Sequence, residues 1–176
     1  MDRNGFVVWG AKGPTSFATD IQKELGITMR KSKTGKEQLQ KLIDAPFDVY
    51  VNIDNNVLSD NAFGYTQYRG KGPYSKKSDV EIKIYRKNAR RRALGTSNKI
   101  SEIEAMAINF GHEIEHLTEN AFILDARGAS KKEREEAPDK ISENMLLDYL
   151  NKLERIEPLF LPATTEMQQK QLYYER

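Results

Sequence analysis

Both histidines of this 176-residue chain fall in one short stretch, Phe110-Gly111-His112-Glu113-Ile114-Glu115-His116-Leu117-Thr118. The pattern is H-E-x-x-H. On an α-helix, residues four apart share a face one turn above one another, so two imidazoles at this spacing can hold one Zn²⁺ from the same side. The Glu between them can reach a water on that metal and take its proton. Of the roughly 15,400 ways to place two histidines in the chain, about 172 put them four apart; with Glu at about one position in eleven, chance yields such a motif about once in a thousand. The competing reading is an amphipathic helix whose surface carries His and Glu by accident. The placement of both histidines in one motif favours the metal site.

The rest of the composition limits what can complete such a site. Cysteine is absent, which removes both disulfides and thiolate ligands. A third ligand must therefore be Asp or Glu, since catalytic zinc commonly takes three protein ligands and a water. At 176 residues, 38% hydrophobic and 31% charged, the chain suits one polar domain with a substantial core. It has no apolar run of membrane-spanning length and no signal-peptide layout at its N-terminus. The net charge of +2 is too small to argue for nucleic acid.

The elements that must position the motif follow from periodicity and punctuation. Ser101 and Glu104 form a capping box that starts a helix before the motif. Along it Ile108, His112 and His116 share one row, which turns the histidines toward protein or a cleft wall. Gly111 allows a close backbone approach beside the first histidine. Val49, Val51 and Ile53 (with Phe47) alternate with polar residues, as do Val80, Ile82 and Ile84, giving two strands with one buried face each. Phe6-Val7-Val8-Trp9 is a shorter strand candidate. A helix is expected from Thr15 or Ser16 to Leu25, stopped by Gly26, and another from Thr34, capped through Glu37 and ended by Pro46. Residues 57–78, rich in Gly and Tyr, read as a long loop or irregular hairpin near the cleft. Arg86–Arg92 reads as a solvated basic loop, with an acidic partner or nucleic acid as the second reading. A last major helix is expected from about Pro138 to Glu154, its apolar side set by Leu146, Leu147, Leu150 and Leu153. The organisation expected is a lead-in over 1–15, one domain over 16–157, and a tail over 158–176.

On that last helix Glu143 falls in angle between Leu147 and Leu150. A carboxylate aimed at a core needs a cation or hydrogen-bond partners, so Glu143 is the expected third ligand. Glu136 and Asp139 are its rivals, while Glu119 and Asp125 are less well placed, on or just after the motif helix. The metzincin extension, with Gly and His after the second motif histidine, is absent from Leu117–Phe122. What remains is the gluzincin arrangement, in which a Glu from a second helix completes the site.

Over roughly residues 32–152 the chain resembles the small zinc metallopeptidase domains found as secreted bacterial effectors and at the C-termini of polymorphic toxins of the Rhs and VgrG kind. The resemblance rests on Ser32-Lys33-Thr34-Gly35-Lys36-Glu37 with Leu39 and Leu42, the strand Val49–Ile53, Gly111–His116, and Ile141-Ser142-Glu143-Asn144. Many of those domains carry Gly before the second histidine, where this chain has Glu115. The resemblance implies a hydrolase that cleaves a target-cell protein after delivery by a specialised secretion system, with a cognate inhibitor (immunity) protein as a further partner.

The fold expected is α+β and zincin-like: a small mixed or antiparallel sheet packed on the active-site helix and on a second helix carrying the third ligand. One Zn²⁺ per chain is expected on His112, His116 and Glu143, with Glu113 moving the proton. A Tyr or Arg, with Tyr149 or a tyrosine of the 63–74 segment as candidates, would stabilise the oxyanion. Strand 79–85 precedes the motif helix, as the substrate-pairing edge strand does in zincins, so a peptide is expected to add to it. The alternatives are a binding module that uses segment 86–92 without metal, and a zinc-binding pseudo-enzyme.

Overall fold

A computed structural model describes residues 7–10, 13–14, 19–45, 49–56, 62, 64–69 and 79–156. The chain is a mixed α+β protein. In order, the elements are β1 (Val7–Gly10), β2 (Gly13–Pro14), α1 (Asp20–Met29), α2 (Lys33–Asp44), β3 (Val49–Asp54), β4 (Gly64–Arg69), β5 (Asp79–Tyr85), α3 (Arg86–Gly95), α4 (Glu102–Glu115), α5 (Glu119–Ala126) and α6 (Lys131–Ile156).

The sheet runs β2-β1-β3-β5-β4. β3 and β5 pair in parallel, and β1 and β4 flank them antiparallel. The two strands read from period-two patterning form its centre. Val49, Val51, Val80, Ile82 and Ile84 are all fully buried. The strand candidate at Phe6–Trp9 appears as β1, which pairs into the sheet rather than standing apart as a lead-in; β2 at 13–14 and β4, within the expected loop or irregular hairpin 57–78, were less legible. One expectation is corrected by this order. β5 is hydrogen-bonded on both sides, so it offers no edge to a peptide, and β4 stands at the edge instead.

The helices centre on α4. It packs against α1, α2, α3 and α6 and against β4 and β5. Its start is the expected capping box: Ser101 Oγ accepts from the Glu104 backbone N–H, and Glu104 accepts from the Ser101 backbone N–H at 2.7 Å. Ala105–Gly111, Glu113 and Ile114 are buried, so α4 is a core helix on nearly every face.

Other helix boundaries differ from expectation. α1 begins at Asp20 behind a Thr19–Gln22 capping box, and Gly26 lies buried inside it. α2 begins behind Ser32, whose Oγ accepts from Gly35 N–H at 2.9 Å; the expected start at Thr34 with Glu37 is not the cap. Asp148 of α6 accepts from Ser32 Oγ at 2.6 Å and from Thr34 N–H at 2.9 Å. An acidic side chain thus meets the positive end of α2 and ties it to α6. Burial would raise the Asp148 pKa, but the Ser32 hydroxyl and the Thr34 backbone hold it below the usual carboxylate range. The basic run is not a loop: Arg86–Arg92 opens α3. The last helix starts at Lys131 and carries Pro138 within it. No helix among the described residues is long and apolar enough to cross a membrane.

Candidate metal centre

Two crossing helices make the site. On α4 the motif leaves His112 and, at its cap, His116 on the face that meets α6. Helix α6 buries Pro138, Ser142, Met145 and Tyr149, a three-four spacing that runs along one side of a helix. Extended one turn toward its start, the stripe reaches Glu135. Glu135 Oε2 lies 3.2 Å from His112 Nε2 and 3.5 Å from His116 Nε2. The three residues offer ligand atoms within 4.8 Å of one another.

Those distances fit an ion pair with a protonated histidine, and they also fit three ligands around one metal. Ligands about 2.0–2.1 Å from a tetrahedral centre stand about 3.3 Å from each other. Burial pulls the His112 pKa below its ordinary value, and the neighbouring His116 adds to this. Neutral imidazoles are what a metal binds. With Nε2 facing Glu135, His112 Nδ1 faces Ser142 Oγ at 3.4 Å and Asp139 Oδ1 at 3.7 Å. A metal-ligating His commonly has such a partner at its other nitrogen, which fixes ring and tautomer.

Glu113 projects beside this group. It is 5% exposed, and Thr66 of β4 holds it: Thr66 Oγ1 lies 2.9 Å from Glu113 Oε2 and 3.0 Å from its carbonyl oxygen. One hydroxyl proton serves two acceptors, so the contact is best satisfied when Glu113 carries a proton. Burial pushes the Glu113 pKa up to about 7; the Thr66 hydrogen bond opposes this and the nearby Glu135 charge assists it. A carboxyl near neutrality can both take and give a proton at physiological pH. Gly64 lets β4 come this close. A Cβ there would stand 2.6 Å from the Lys83 carbonyl oxygen and 3.1 Å from Glu113 Oε1.

The group opens into a cleft of about 590 Å³ whose walls include Gly64, Tyr65 and Thr66 from β4, Arg92 from α3, Asp125 from α5, and Lys131 and Arg134 from α6. The Asp125–Arg134 ion pair, at 3.0 Å, joins α5 to α6 there.

The residues expected at the site are thus partly assembled. His112, Glu113 and His116 come together as expected. Glu143 does not: it is exposed on α6 and pairs with Lys140 at 3.3 Å. It lies one residue, about 100° of helix, round from the buried Ser142, and Leu147, which defined the expected apolar side, is 54% exposed. Among the rivals, Asp139 reaches His112 Nδ1 from outside the ligand cluster, and Glu136 is exposed. Glu119 is exposed at the start of α5. Tyr149 cannot serve an oxyanion, because it is buried and its hydroxyl donates to the Thr28 carbonyl at 3.0 Å. Of the tyrosines in the 63–74 segment, Tyr65 lines the cleft, Tyr68 is part of β4, and Tyr74 lies outside the described residues. Gly111 is close-packed, but against a side chain: a Cβ would stand 2.4 Å from Met145 Sδ. Glu115 faces α2, where Lys41 at 2.5 Å and Gln38 at 2.9 Å bind it.

Glu135, Thr66 and Asn109 carry no signal of their own in the sequence, while Arg92 is marked there only as part of the basic run 86–92 and Ser142 only within Ile141–Asn144. Only the 135-138-142-145-149 spacing could have pointed to Glu135. Comparison with protein-family models, with curated proteins and with solved structures gave no match.

Proposed function

We propose that this chain is a zinc-dependent endopeptidase whose metal is held by His112, His116 and Glu135. The observation that carries the reading is the convergence of both histidines on one Glu135 oxygen, at 3.2 and 3.5 Å, with a buried carboxyl beside them. When bound, Zn²⁺ supplies a Lewis acid toward water and carbonyl oxygen. Glu113 supplies the base. Its carboxylate takes a proton from the attacking water and returns it to the leaving nitrogen, while Thr66 holds Oε2 in place. Ser142 and Asp139 orient the His112 ring through Nδ1. An extended substrate lies along β4, which among the described strands pairs with β5 alone, and gains main-chain hydrogen bonds there. The resemblance to effector and toxin domains supports a target-cell protein as the substrate and an inhibitor protein as a partner.

The test is to expose a cell lysate to zinc-loaded wild type and to the Glu113→Gln variant and identify new protein N-termini. The proposal expects discrete new termini with wild type and none with the variant. Equal termini from both would show that this motif is not the centre that cuts.

A further inference from the structure

Asn109 stands on α4 one turn before His112. It is 1% exposed, yet it lines the cleft. Its Oδ1 accepts from Arg92 Nη1 at 2.5 Å. A guanidinium has no acceptor, which fixes the oxygen of this amide on the Arg92 side. Nδ2 is left buried with no partner among the described residues. A buried donor without a partner costs stability, and such a group in a native protein calls for a water, an ion or a functional role to account for it. Arg92 is the one residue of the basic run 86–92 that lines the cleft, and its guanidinium stays charged at neutral pH.

Distance decides what this pair of donors can meet. A helix rises about 1.5 Å per residue, so Asn109 lies about 7.5 Å along α4 from the midpoint between His112 and His116. That offset along the helix puts the pair to one side of the reacting carbonyl, whose stabilising groups sit within about 3 Å of its oxygen. An extended peptide advances about 3.3 Å per residue, so the pair meets a group carried within two residues of the scissile bond. Asp139 acts on the Arg92 charge from the same cleft; a substrate carboxylate would share that cation with it and accept from the unpaired amide N–H as well.

We propose that Arg92 and Asn109 form a subsite for an acidic side chain, Asp or Glu, within two residues of the bond that is cut. This rests on the endopeptidase reading for the word substrate; the subsite itself is tested apart from cleavage.

Two measurements decide it. The first follows the Asn109 side-chain amide by NMR in metal-free protein, so that zinc does not capture the probe. Three N-acetylated tripeptides are titrated: Ala-Glu-Ala amide, Ala-Gln-Ala amide, and Ala-Gln-Ala with a free C-terminus. The subsite predicts that the Glu peptide shifts the Asn109 signals at an at least tenfold lower concentration than its Gln counterpart. Arg92→Gln should abolish the difference, and Arg92→Lys should keep part of it. Equal shifts from the two amides, or none from either, would overturn the proposal. A response to the free C-terminus alone would assign the pair to a chain end instead.

The second measurement maps cleavage sites in a lysate-derived peptide mixture with zinc-loaded protein. An acidic residue should be enriched at one fixed position in wild type. Arg92→Gln should lower kcat/KM at least tenfold for an acidic peptide, mainly through KM, and under threefold for its Gln analogue. Cleavage without acidic preference would overturn the subsite and leave the peptidase. Discrimination in the first measurement without any cleavage would overturn the peptidase and leave the subsite.

Discussion

Helices α4 and α6 meet at the candidate centre, and each arrives there by a different physical route. On α4 the two histidines are placed by local geometry: a four-residue spacing puts them on one face wherever the helix goes. The helix is buried almost all round, and its capping box fixes where it begins. On α6 nothing local marks the ligand. This helix is long, charged and half solvated, and it carries five carboxylates between Glu133 and Glu143. Which of them reaches the histidines depends on which side packs against α4. That side is centred on Pro138, Ser142, Met145 and Tyr149; Leu146 and Leu150 pack partly buried against the core, and Leu147 is exposed. A motif contained in one helix can be read from a sequence; a ligand supplied by a crossing helix depends on tertiary packing.

The comparison can be broken at several points. The largest effect is expected at Glu113. Glu113→Gln keeps size and shape but cannot act as a base, so peptide cleavage should fall by about 10²–10⁴ or more while zinc content and melting temperature stay near wild type. A variant that loses its metal would make Glu113 part of the metal's support.

The next largest tests the crossing. A Cβ on Gly111 would stand 2.4 Å from Met145 Sδ, so the buried thioether must shift to admit it. Gly111→Val should destabilise the fold by about 1–3 kcal/mol in chemical denaturation and weaken zinc retention, because α6 carries Glu135 away from α4. Unchanged zinc affinity would mean that the crossing does not set the ligand's position.

A smaller effect separates structural from catalytic roles on the same helix. Tyr149→Phe removes the hydrogen bond to the Thr28 carbonyl. It should cost about 0.5–1.5 kcal/mol of stability and leave kcat unaltered under conditions where both proteins are folded. A large fall in kcat would restore Tyr149 to the oxyanion role that its buried position denies it. The smallest effect is expected at the exposed Lys140–Glu143 pair, where Lys140→Ala should leave the melting temperature unchanged within error.

These differences also explain what was legible beforehand. The strands around Val49–Ile53 and Val80–Ile84 were readable because alternation reports a one-sided sheet. β4 was not, because Gly64-Tyr65-Thr66-Gln67-Tyr68-Arg69 has almost no aliphatic alternation, and its partner strand and the Glu113–Thr66 contact are what locate it. The run at Arg86–Arg92 was read by charge as a loop, yet Asn88, Ala89 and Ala93 bury one side of a helix and Arg92 turns into the cleft. Gln38 and Lys41 were likewise silent in sequence, because their role is to hold Glu115 across 77 and 74 residues.

The central claim is that Glu135, and not Glu143, completes the metal centre with His112 and His116. Zinc per folded chain, measured by mass spectrometry on protein purified without chelator, tests it directly when Glu135→Ala and Glu143→Ala are compared with wild type. The account predicts about one zinc in wild type and in Glu143→Ala, and a strong loss in Glu135→Ala, as in His112→Ala. Full zinc in Glu135→Ala, or its loss in Glu143→Ala, would contradict it.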